Sequence, residues 1–327
     1  MVMKNFIFKL ALILLLIALG QLAFYAVIYR VWPAFPEFDL LWQSLQEKKE
    51  VIYFGDSTIA AADQMDKDKR SIAEFLQDDV TPLKVGRVDH GGYQLDLYLK
   101  FYQYIRRGTY HPEFVIVPIN MRSFSPGWDM RPGYQFEWEK QILQKGRFMY
   151  YLLYRPLAVF AHDIKRITNE EFWATPIFNG LGKVGTVKDF EAIDYASKTR
   201  EVALQKTIYD YMFSLSSAHR KLQSLSVLIN DKSPQTKLIF YITPVNYEKG
   251  ENYFQGIFKN RLAENVEVVK KMVQGGAIFL DLSTALPEKI FVGGKEAPFL
   301  DEHLNEEGRR FVAQSLAEII KINSGSK

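Results

Sequence analysis

The 327-residue sequence contains no cysteine. This absence excludes disulfide bonds, thiolate zinc sites, a cysteine nucleophile and a lipid anchor on a cysteine. It is compatible with an oxidising compartment but does not require one. Histidine is scarce, with five residues in the whole chain. No two histidines have the spacing of a metal-ligand pair, so no metal ion or cofactor is expected.

Long runs of a single charge are also missing. The chain has 41 basic and 38 acidic residues, which gives a formal net charge of +3, and the basic residues are spread along its length. Nothing in this distribution calls for a nucleic-acid partner. Apolar residues, by contrast, are plentiful: 48% of the chain is hydrophobic and 14% is aromatic. This is enough for one sizeable buried core, or for two domains at most.

One long apolar run lies near the N-terminus. Residues Leu10 to Tyr29 contain Gln21 as their only strongly polar side chain, and as a helix they would span about 30 Å, one bilayer crossing. Lysines precede the run and acidic residues follow it, which predicts a cytoplasmic N-terminus and an extracytoplasmic remainder. A cleaved signal peptide is the alternative, since Ala18 and Gly20 resemble a cleavage site. Both interpretations predict that the rest of the chain is exported.

The remaining sequence predicts an α/β domain behind a short connector. Residues 1–30 are predicted as a cytoplasmic tip and transmembrane anchor, 31–49 as a juxtamembrane connector and 50–324 as the folded domain. Strands are predicted from short runs rich in β-branched and aromatic residues, at 50–54, 84–88, 114–119, 237–243 and 277–280. Helical patterns lie between or after them, at 71–76, 95–105, 257–273 and 306–320. This alternation predicts a flavodoxin-like three-layer sandwich with a five-stranded parallel sheet, whose sites gather at the carboxyl ends of the strands.

The connection between the third and fourth strands is far longer than usual. It is predicted as a largely helical insertion over about residues 125–235, with a helix at 199–228. Its aromatic side chains could stack on sugar rings, or they could pack in the core or contact a membrane or partner. They are Trp128, Tyr134, Trp138, Tyr150, Tyr151 and Trp173.

The first candidate for chemistry is the sequence Gly55-Asp56-Ser57-Thr58. It directly follows the first predicted strand, where a turn exposes a hydroxyl at the carboxyl edge of the sheet. Ser57 is therefore a candidate nucleophile. The structural alternative is that the segment caps a helix.

A serine nucleophile needs a base, and histidine is the usual one because its pKa lies near neutrality. His303 is the preferred candidate, because it follows the fifth strand and because Asp301 could orient its ring and stabilise its charged form. His90, beside Asp89 after the second strand, is the second choice. The remaining three are expected to have ordinary structural or surface roles: His111, His162 and His219.

Acyl transfer also needs hydrogen-bond donors directed at the developing oxyanion. Gly92 follows the second strand, where a glycine lets a backbone N–H approach the reacting carbon. Asn120 ends the third strand, so its amide can project at the same edge. Each could instead be an ordinary turn residue. Together with Ser57 and His303, they fall in chain order at the ends of strands one, two, three and five.

These four blocks resemble those of the SGNH (GDSL-type) hydrolase superfamily, over about residues 50–124 and 237–320. The resemblance implies that Ser57 is the nucleophile and also gives one oxyanion N–H. It implies that Gly92 and Asn120 complete the oxyanion hole, and that Asp301 and His303 are the acid and base. The chain departs from the family pattern in having one residue instead of two between acid and histidine, and in keeping only the Asn of the third block.

With its N-terminal anchor, the chain is most similar to exported members of the superfamily that modify cell-envelope polymers, such as those of teichoic-acid D-alanylation and alginate acetylation. Such proteins often act beside a membrane-bound O-acyltransferase. The leading hypothesis is therefore a serine-dependent O-acyltransferase or acyl-esterase that acts on an envelope carbohydrate through an acyl-Ser57 intermediate. The alternative is a non-catalytic subunit of the same fold that recruits the polymer or the acyltransferase partner.

Overall fold

The computed structural model describes most of the chain outside the central insertion. The described residues are 2–31, 35–60, 63, 65–129, 131, 134–146, 170–171, 174, 176–178, 183–186, 188–189, 207–294 and 300–325. Four residues singled out above lie outside these ranges: Tyr150, Tyr151, His162 and Trp173.

The N-terminal apolar run forms a single long helix, α1 (Val2–Val31). Its stretch Lys4–Ala23 has a mean hydropathy of 2.4 and none of it is buried against the rest of the chain. By length and composition this helix could cross a membrane, and a signal sequence has the same properties.

Five parallel strands form the central sheet, and their bounds agree with the predicted ones to within one residue. They are β1 (Val51–Gly55), β2 (Val85–Asp89), β3 (Phe114–Ile119), β6 (Lys237–Ile242) and β7 (Ile278–Asp281). The order across the sheet is β2-β1-β3-β6-β7, with every neighbouring pair parallel. This is the flavodoxin-like order, in which the direction of winding reverses between β1 and β3, and a crevice opens at the carboxyl ends of those two strands.

Helices cover both faces of the sheet, which confirms the three-layer α/β sandwich. The helices outside the insertion are α2 (Pro36–Gln46), α3 (Ser57–Ala60), α4 (Ile72–Asp79), α5 (Leu95–Arg107), α9 (Tyr247–Tyr253), α10 (Phe258–Val273) and α11 (Glu306–Asn323). Side chains of β1 alternate between the two cores: Ile52 and Phe54 join the cluster with α2, α5 and α10, whereas Val51 and Tyr53 join the cluster with α4 and α11. This alternation follows from the period of two in a strand.

The N-terminal part of the core begins before residue 50. Helix α2 lies within the region predicted as a connector, yet Phe35, Phe38 and Leu41 are buried in the same cluster as the sheet. Phe38 also meets Tyr104 of α5 edge to face, with ring centroids 4.9 Å apart. The chain is therefore packed against the sheet from Phe35 onward.

The described parts of the insertion contain strands as well as helices. Its helices are α6 (Pro126–Asp129), α7 (Glu137–Lys145) and α8 (Arg220–Asn230), and β4 (Pro176–Phe178) pairs antiparallel with β5 (Lys183–Thr186). The helix predicted over 199–228 is only partly confirmed in its described part: residues 220–228 lie in α8, whereas residues 210–219 are not helical. Buried Asn265 satisfies this non-helical backbone: its side chain accepts from Leu215 N at 2.8 Å and donates to Phe213 O at 2.9 Å.

Candidate active site

Ser57 lies at the carboxyl end of β1, beside the point where the winding of the sheet reverses. The Ile59 side chain packs directly against the backbone of Gly55, and a Cβ at position 55 would stand 2.1 Å from it. Asp56 braces the turn, since one of its carboxylate oxygens accepts from Thr58 N at 2.8 Å and from the Thr58 hydroxyl at 2.6 Å. Strand end and turn together hold the Ser57 hydroxyl at the edge of the sheet.

The structure brings the imidazole of His303 to this hydroxyl. His303 Nε2 lies 3.0 Å from Ser57 Oγ, within hydrogen-bond distance. On the opposite side of the ring, His303 Nδ1 lies 2.7 Å from an Asp301 carboxylate oxygen. Because an ionised carboxylate only accepts, we assign the proton of the neutral ring to Nδ1. Nε2 is then free to accept the proton of the Ser57 hydroxyl.

Charge and burial act in opposite directions on this pair. Burial alone would lower the pKa of His303, but the hydrogen bond and the charge of Asp301 outweigh it and raise the pKa above its ordinary value of 6.5. Burial likewise tends to raise the pKa of Asp301, and its hydrogen bond to His303 and the attraction of that ring lower it on balance. Each residue therefore favours the charged form of the other.

The short spacing of Asp301 and His303 is accommodated by the conformation of their loop. The same Asp301 oxygen that faces the ring also accepts the backbone N–H of His303 at 2.8 Å. The intervening Glu302 is buried elsewhere: its carboxylate accepts from the Tyr211 hydroxyl at 2.8 Å and forms an ion pair with Arg122. Asp301 and His303 therefore face Ser57, while Glu302 between them faces Arg122 and Tyr211. One residue between the acid and the histidine is sufficient for the two to meet.

Gly92 has the backbone conformation that only glycine adopts readily, with φ at +81°. A Cβ at this position would lie 2.8 Å from the ring of Tyr134. Neither the Gly92 N–H nor the Ser57 N–H has a hydrogen-bond acceptor within the described part of the chain. Both groups are available to an oxygen atom of a ligand.

Asn120 is buried at the end of β3, and its amide is oriented from both sides. Its carbonyl oxygen accepts from Arg122 N at 3.0 Å, and its Nδ2 donates to the second carboxylate oxygen of Asp56 at 3.2 Å. An amide nitrogen carries two hydrogens, so one is left over. Asp56 is thus linked to both the nucleophile turn and Asn120, and burial followed by the charge of Glu302 raises its pKa.

His90, the second-choice base, is engaged elsewhere. Its Nδ1 lies 3.0 Å from Gly91 O, and its ring packs near Tyr93, with centroids 5.2 Å apart. The neighbouring Asp89 forms an ion pair with Arg87, not with a histidine. The structure therefore brings His303, and not His90, to Ser57.

Sequence reasoning missed the polar residues that surround this site, but it named the aromatic residues Trp128 and Tyr134. Arg122 pairs with Glu302 and its guanidinium stands 4.0 Å from the centre of the Trp128 ring. Trp128 in turn stacks on Tyr134, with centroids 4.8 Å apart, and Tyr134 reaches Gly92. Arg122 lies two residues after Asn120, and this closeness to a candidate site residue was a signal in the sequence. Tyr211 lies in the insertion, and no local pattern connects it with the site.

Trp138, the third described residue of the predicted aromatic set beside Trp128 and Tyr134, is 44% exposed. No cluster of three or more potential metal ligands occurs among the described residues.

The comparisons with known proteins give likenesses to solved structures. No protein-family model matches the chain, and no curated protein matches it. An acetylxylan esterase from Geobacillus stearothermophilus is 14% identical with a TM-score of 0.39, covering 84% of this chain and 94% of that one. A lipase/acylhydrolase from Enterococcus faecalis is 12% identical with a TM-score of 0.38, covering 83% and 94%.

A carbohydrate esterase family 2 enzyme from Corynascus thermopiles (Myceliophthora fergusii) is 10% identical with a TM-score of 0.41, covering 84% of this chain and 66% of that one. Identities this low describe a likeness of fold and assign no activity. The function proposed below therefore depends on the geometry of this chain's own residues, above all Ser57, His303 and Asp301.

Proposed function

We propose that the protein is an exported, serine-dependent O-acyltransferase or acyl-esterase of the SGNH type that acts on a cell-envelope carbohydrate. The observation that carries the proposal is the chain of contacts from Asp301 to His303 Nδ1 at 2.7 Å and from His303 Nε2 to Ser57 Oγ at 3.0 Å. A hydroxyl, a base and an orienting acid within hydrogen-bond distance of one another are the requirement for nucleophilic catalysis by serine.

In the first half-reaction, Ser57 Oγ attacks the carbonyl carbon of the acyl donor while His303 Nε2 accepts the hydroxyl proton. The resulting imidazolium is stabilised by Asp301, whose contact with the ring raises the pKa of His303. The oxyanion forms beside the Ser57 and Gly92 N–H groups and the second amide hydrogen of Asn120. Collapse of the intermediate expels the donor's alcohol, which takes the proton from His303, and leaves an acyl-Ser57 ester.

In the second half-reaction, a hydroxyl group attacks the acyl-Ser57 carbonyl and His303 takes its proton. Ser57 then leaves as the alcohol and regains the proton from the imidazole. A sugar hydroxyl as attacking group gives acyl transfer, and water gives hydrolysis. Both outcomes use the same residues, so this set of side chains is common to an esterase and a transferase.

Two features support an envelope carbohydrate as the substrate. Helix α1 could hold the domain at a membrane or direct its export. Tyr134 lies against Gly92 and Trp128 stacks on Tyr134, so the two rings provide aromatic surface of the kind on which sugar rings stack. A membrane-bound O-acyltransferase remains part of the proposal as a partner that would deliver the acyl group.

The alternative, a non-catalytic subunit that recruits polymer or partner, drew support from the short spacing between Asp301 and His303. With Asp301 2.7 Å from His303 Nδ1 that spacing is no obstacle to catalysis, so the enzyme is the better supported of the two.

The test is the hydrolysis of 4-nitrophenyl acetate by the full-length chain in detergent. Ser57→Ala and His303→Ala are each expected to lower kcat/KM by about 10⁴-fold or more, because the triad acts as a unit. Ser226→Ala, on α8 in the insertion, is the matched control and should keep wild-type kinetics. Wild-type activity in either site variant would reject the assignment.

A serine-directed fluorophosphonate separates enzyme from subunit. The enzyme proposal predicts covalent labelling at Ser57, located by peptide mass analysis, and loss of labelling in His303→Ala because the hydroxyl is no longer activated. An unlabelled native wild-type chain would favour the non-catalytic subunit.

A further inference from the structure

Helix α2 runs from the carboxyl edge of the sheet toward its amino edge. Near its end, Ser44 lies against Gly86, the second residue of β2, where a Cβ would meet the Ser44 hydroxyl at 2.5 Å. Near its start, Phe35 packs against Phe101, with ring centroids 5.7 Å apart, and Phe101 packs at 5.8 Å against Tyr93, which follows the Gly92 turn at the opposite end of β2. The rise of 1.5 Å per helical residue places the start of α2 about 12 Å above Ser44, level with the end of β2.

The chain therefore enters the folded domain at the edge that carries Ser57 and His303. Helix α1 ends at Val31, and Phe35 is already buried in the core, only 1% exposed. Four backbone steps separate these residues, and at 3.3–3.6 Å per residue they span at most about 14 Å. The amino edge of the sheet lies a further strand length away, about 20 Å for a six-residue strand.

Two exposed apolar side chains lie at this same edge. Met65, between α3 and α4, is 88% exposed and neighbours Asp66, which accepts a hydrogen bond from the N–H of Glu306 at 3.0 Å, three residues after His303. Trp138 is the second residue of α7 and is 44% exposed. Its neighbour Lys140 is tied to Asp96, in the first turn of α5, at 2.6 Å.

Two exposed lysines follow Met65 at alternate positions, Lys67 and Lys69. The aspartates interleaved with them are paired with arginines, Asp66 with Arg309 and Asp68 with Arg70. An apolar side chain followed by exposed lysines suits the headgroup region of an anionic bilayer. Tryptophan is likewise enriched at the boundary between lipid and water.

We propose that the carboxyl edge of the sheet faces the membrane surface, with Met65 and Trp138 at the lipid boundary, so that the active site receives an acyl compound carried by the bilayer. The proposal rests on the proposed function, since it names the class of substrate for that same site, and on α1 remaining attached as an anchor. The occupant of the surface is the lipid headgroup layer itself.

The orientation can be measured by fluorescence, because the natural chain has no cysteine and any single introduced cysteine is labelled uniquely. Full-length Met65→Cys carries a nitrobenzoxadiazole dye in vesicles of phosphatidylglycerol and phosphatidylethanolamine that contain a headgroup spin-labelled lipid. Gln235→Cys, exposed just before β6 at the amino edge, is the matched control. Strong quenching at position 65 and weak quenching at position 235 are expected.

Since these vesicles contain no other protein, such quenching identifies the lipid surface as the occupant. Equal quenching at the two positions, or stronger quenching at position 235, would overturn the proposed orientation. Neither result depends on catalysis, so the orientation can fail while the enzyme assignment stands.

A second experiment connects the orientation with the substrate. A ten-residue Gly-Ser spacer between residues 34 and 35 lets the domain move away from the bilayer, while the same spacer before Met1 is the control. The substrate is a nitrophenyl acetate group, either free in water or attached to a phospholipid headgroup.

The spacer at 34/35 is expected to lower turnover of the lipid-attached ester by about fivefold or more, through a lower effective concentration, and to leave the free ester unchanged. Equal turnover of the lipid-attached ester with and without that spacer would contradict the inference. Failure of the wild type to turn over the free ester would instead reject the proposed function.

Discussion

Two aspartate–histidine pairs lie in different parts of the molecule and differ in almost every respect that matters for catalysis. At the sheet edge, Asp301 stands 2.7 Å from His303. In the insertion, Asp129 stands 3.6 Å from His219. The two imidazole side chains are similarly accessible, 29% and 19% exposed, so burial does not distinguish them.

The charges around each aspartate do distinguish them. Asp129 is also paired with Arg220 at 2.8 Å and with the fully buried Lys221 at 3.1 Å. Burial and those two cations lower the pKa of His219, although Asp129 opposes them. Asp301 has no such competitor among the described residues, and the pKa of His303 is raised.

The tautomers differ as well. His219 Nδ1 accepts the N–H of Lys221 at 3.3 Å and caps α8, whereas His303 Nδ1 faces a carboxylate and leaves Nε2 for Ser57. An acidic neighbour alone therefore does not make a histidine a general base. What matters is an aspartate whose charge is not already neutralised, on the ring nitrogen opposite the nucleophile.

The sharpest test of this comparison is Asp301→Asn. It is expected to lower kcat/KM for 4-nitrophenyl acetate by about 10³–10⁴-fold, because the ring loses both its orientation and the charge that stabilises imidazolium. Asp89→Asn, which removes the acid of the second-choice pair, should leave kcat/KM close to the wild-type value. A small effect of Asp301→Asn together with a large effect of Asp89→Asn would instead favour His90 as the base.

The insertion pair should respond in stability, not in chemistry. Asp129→Ala leaves the buried Lys221 without its closest carboxylate and is expected to lower the free energy of unfolding by about 3–5 kcal/mol, measured by urea unfolding of the full-length chain. The control, Asp231→Ala, removes an exposed partner of Arg106 at 3.9 Å and should cost less than about 1 kcal/mol. Similar losses of unfolding free energy in both variants would mean that the ion pairs of Asp129 do not stabilise the fold.

The pH profile of kcat/KM separates the two histidines. His303 must be neutral to accept the Ser57 proton, so activity rises with pH through the pKa of His303, and the midpoint is expected above the ordinary value of 6.5. In Asp301→Asn the residual activity should have a lower midpoint, since the group that raises the pKa is gone. A wild-type midpoint below 6.5 would contradict this account of the site.

The smallest effect is expected for His219→Asn. Asparagine is a favourable N-cap, so α8 keeps its cap, and the free energy of unfolding should change by less than about 1 kcal/mol. kcat/KM and the pH midpoint should match the wild type. A shifted pH midpoint in this variant would show that the two histidines are coupled.

The fold was largely open to prediction from the sequence, because the strands of a buried parallel sheet are short apolar runs bounded by turn residues. Positions 114–119 were predicted to the residue. The helix predicted at 199–228 is interrupted between residues 210 and 219, where Asn265 from another helix hydrogen-bonds the backbone of Phe213 and Leu215. Periodicity does not register such a distant hydrogen-bonding partner.

The contact between His303 and Ser57 was predictable in the same measure. Ser57, Gly92, Asn120 and His303 each follow a strand, and strand ends of a parallel sheet lie at one edge, so order along the chain indicated proximity. The contacts of Glu302 with Arg122 and with Tyr211 were not predictable, because the three residues come from segments remote in sequence.

By itself, the sequence determined the apolar N-terminal helix, the alternation of strands and helices and the residue types available for acyl chemistry, because these depend on local patterns of hydrophobicity and turn residues. Only the tertiary structure decided which histidine faces Ser57 and which aspartate contacts that histidine and stabilises its charged form. It also decided that the chain enters the domain at the edge of the active site. Those outcomes depend on distances of a few ångströms between segments far apart in the chain, over which hydrogen bonds and charges act.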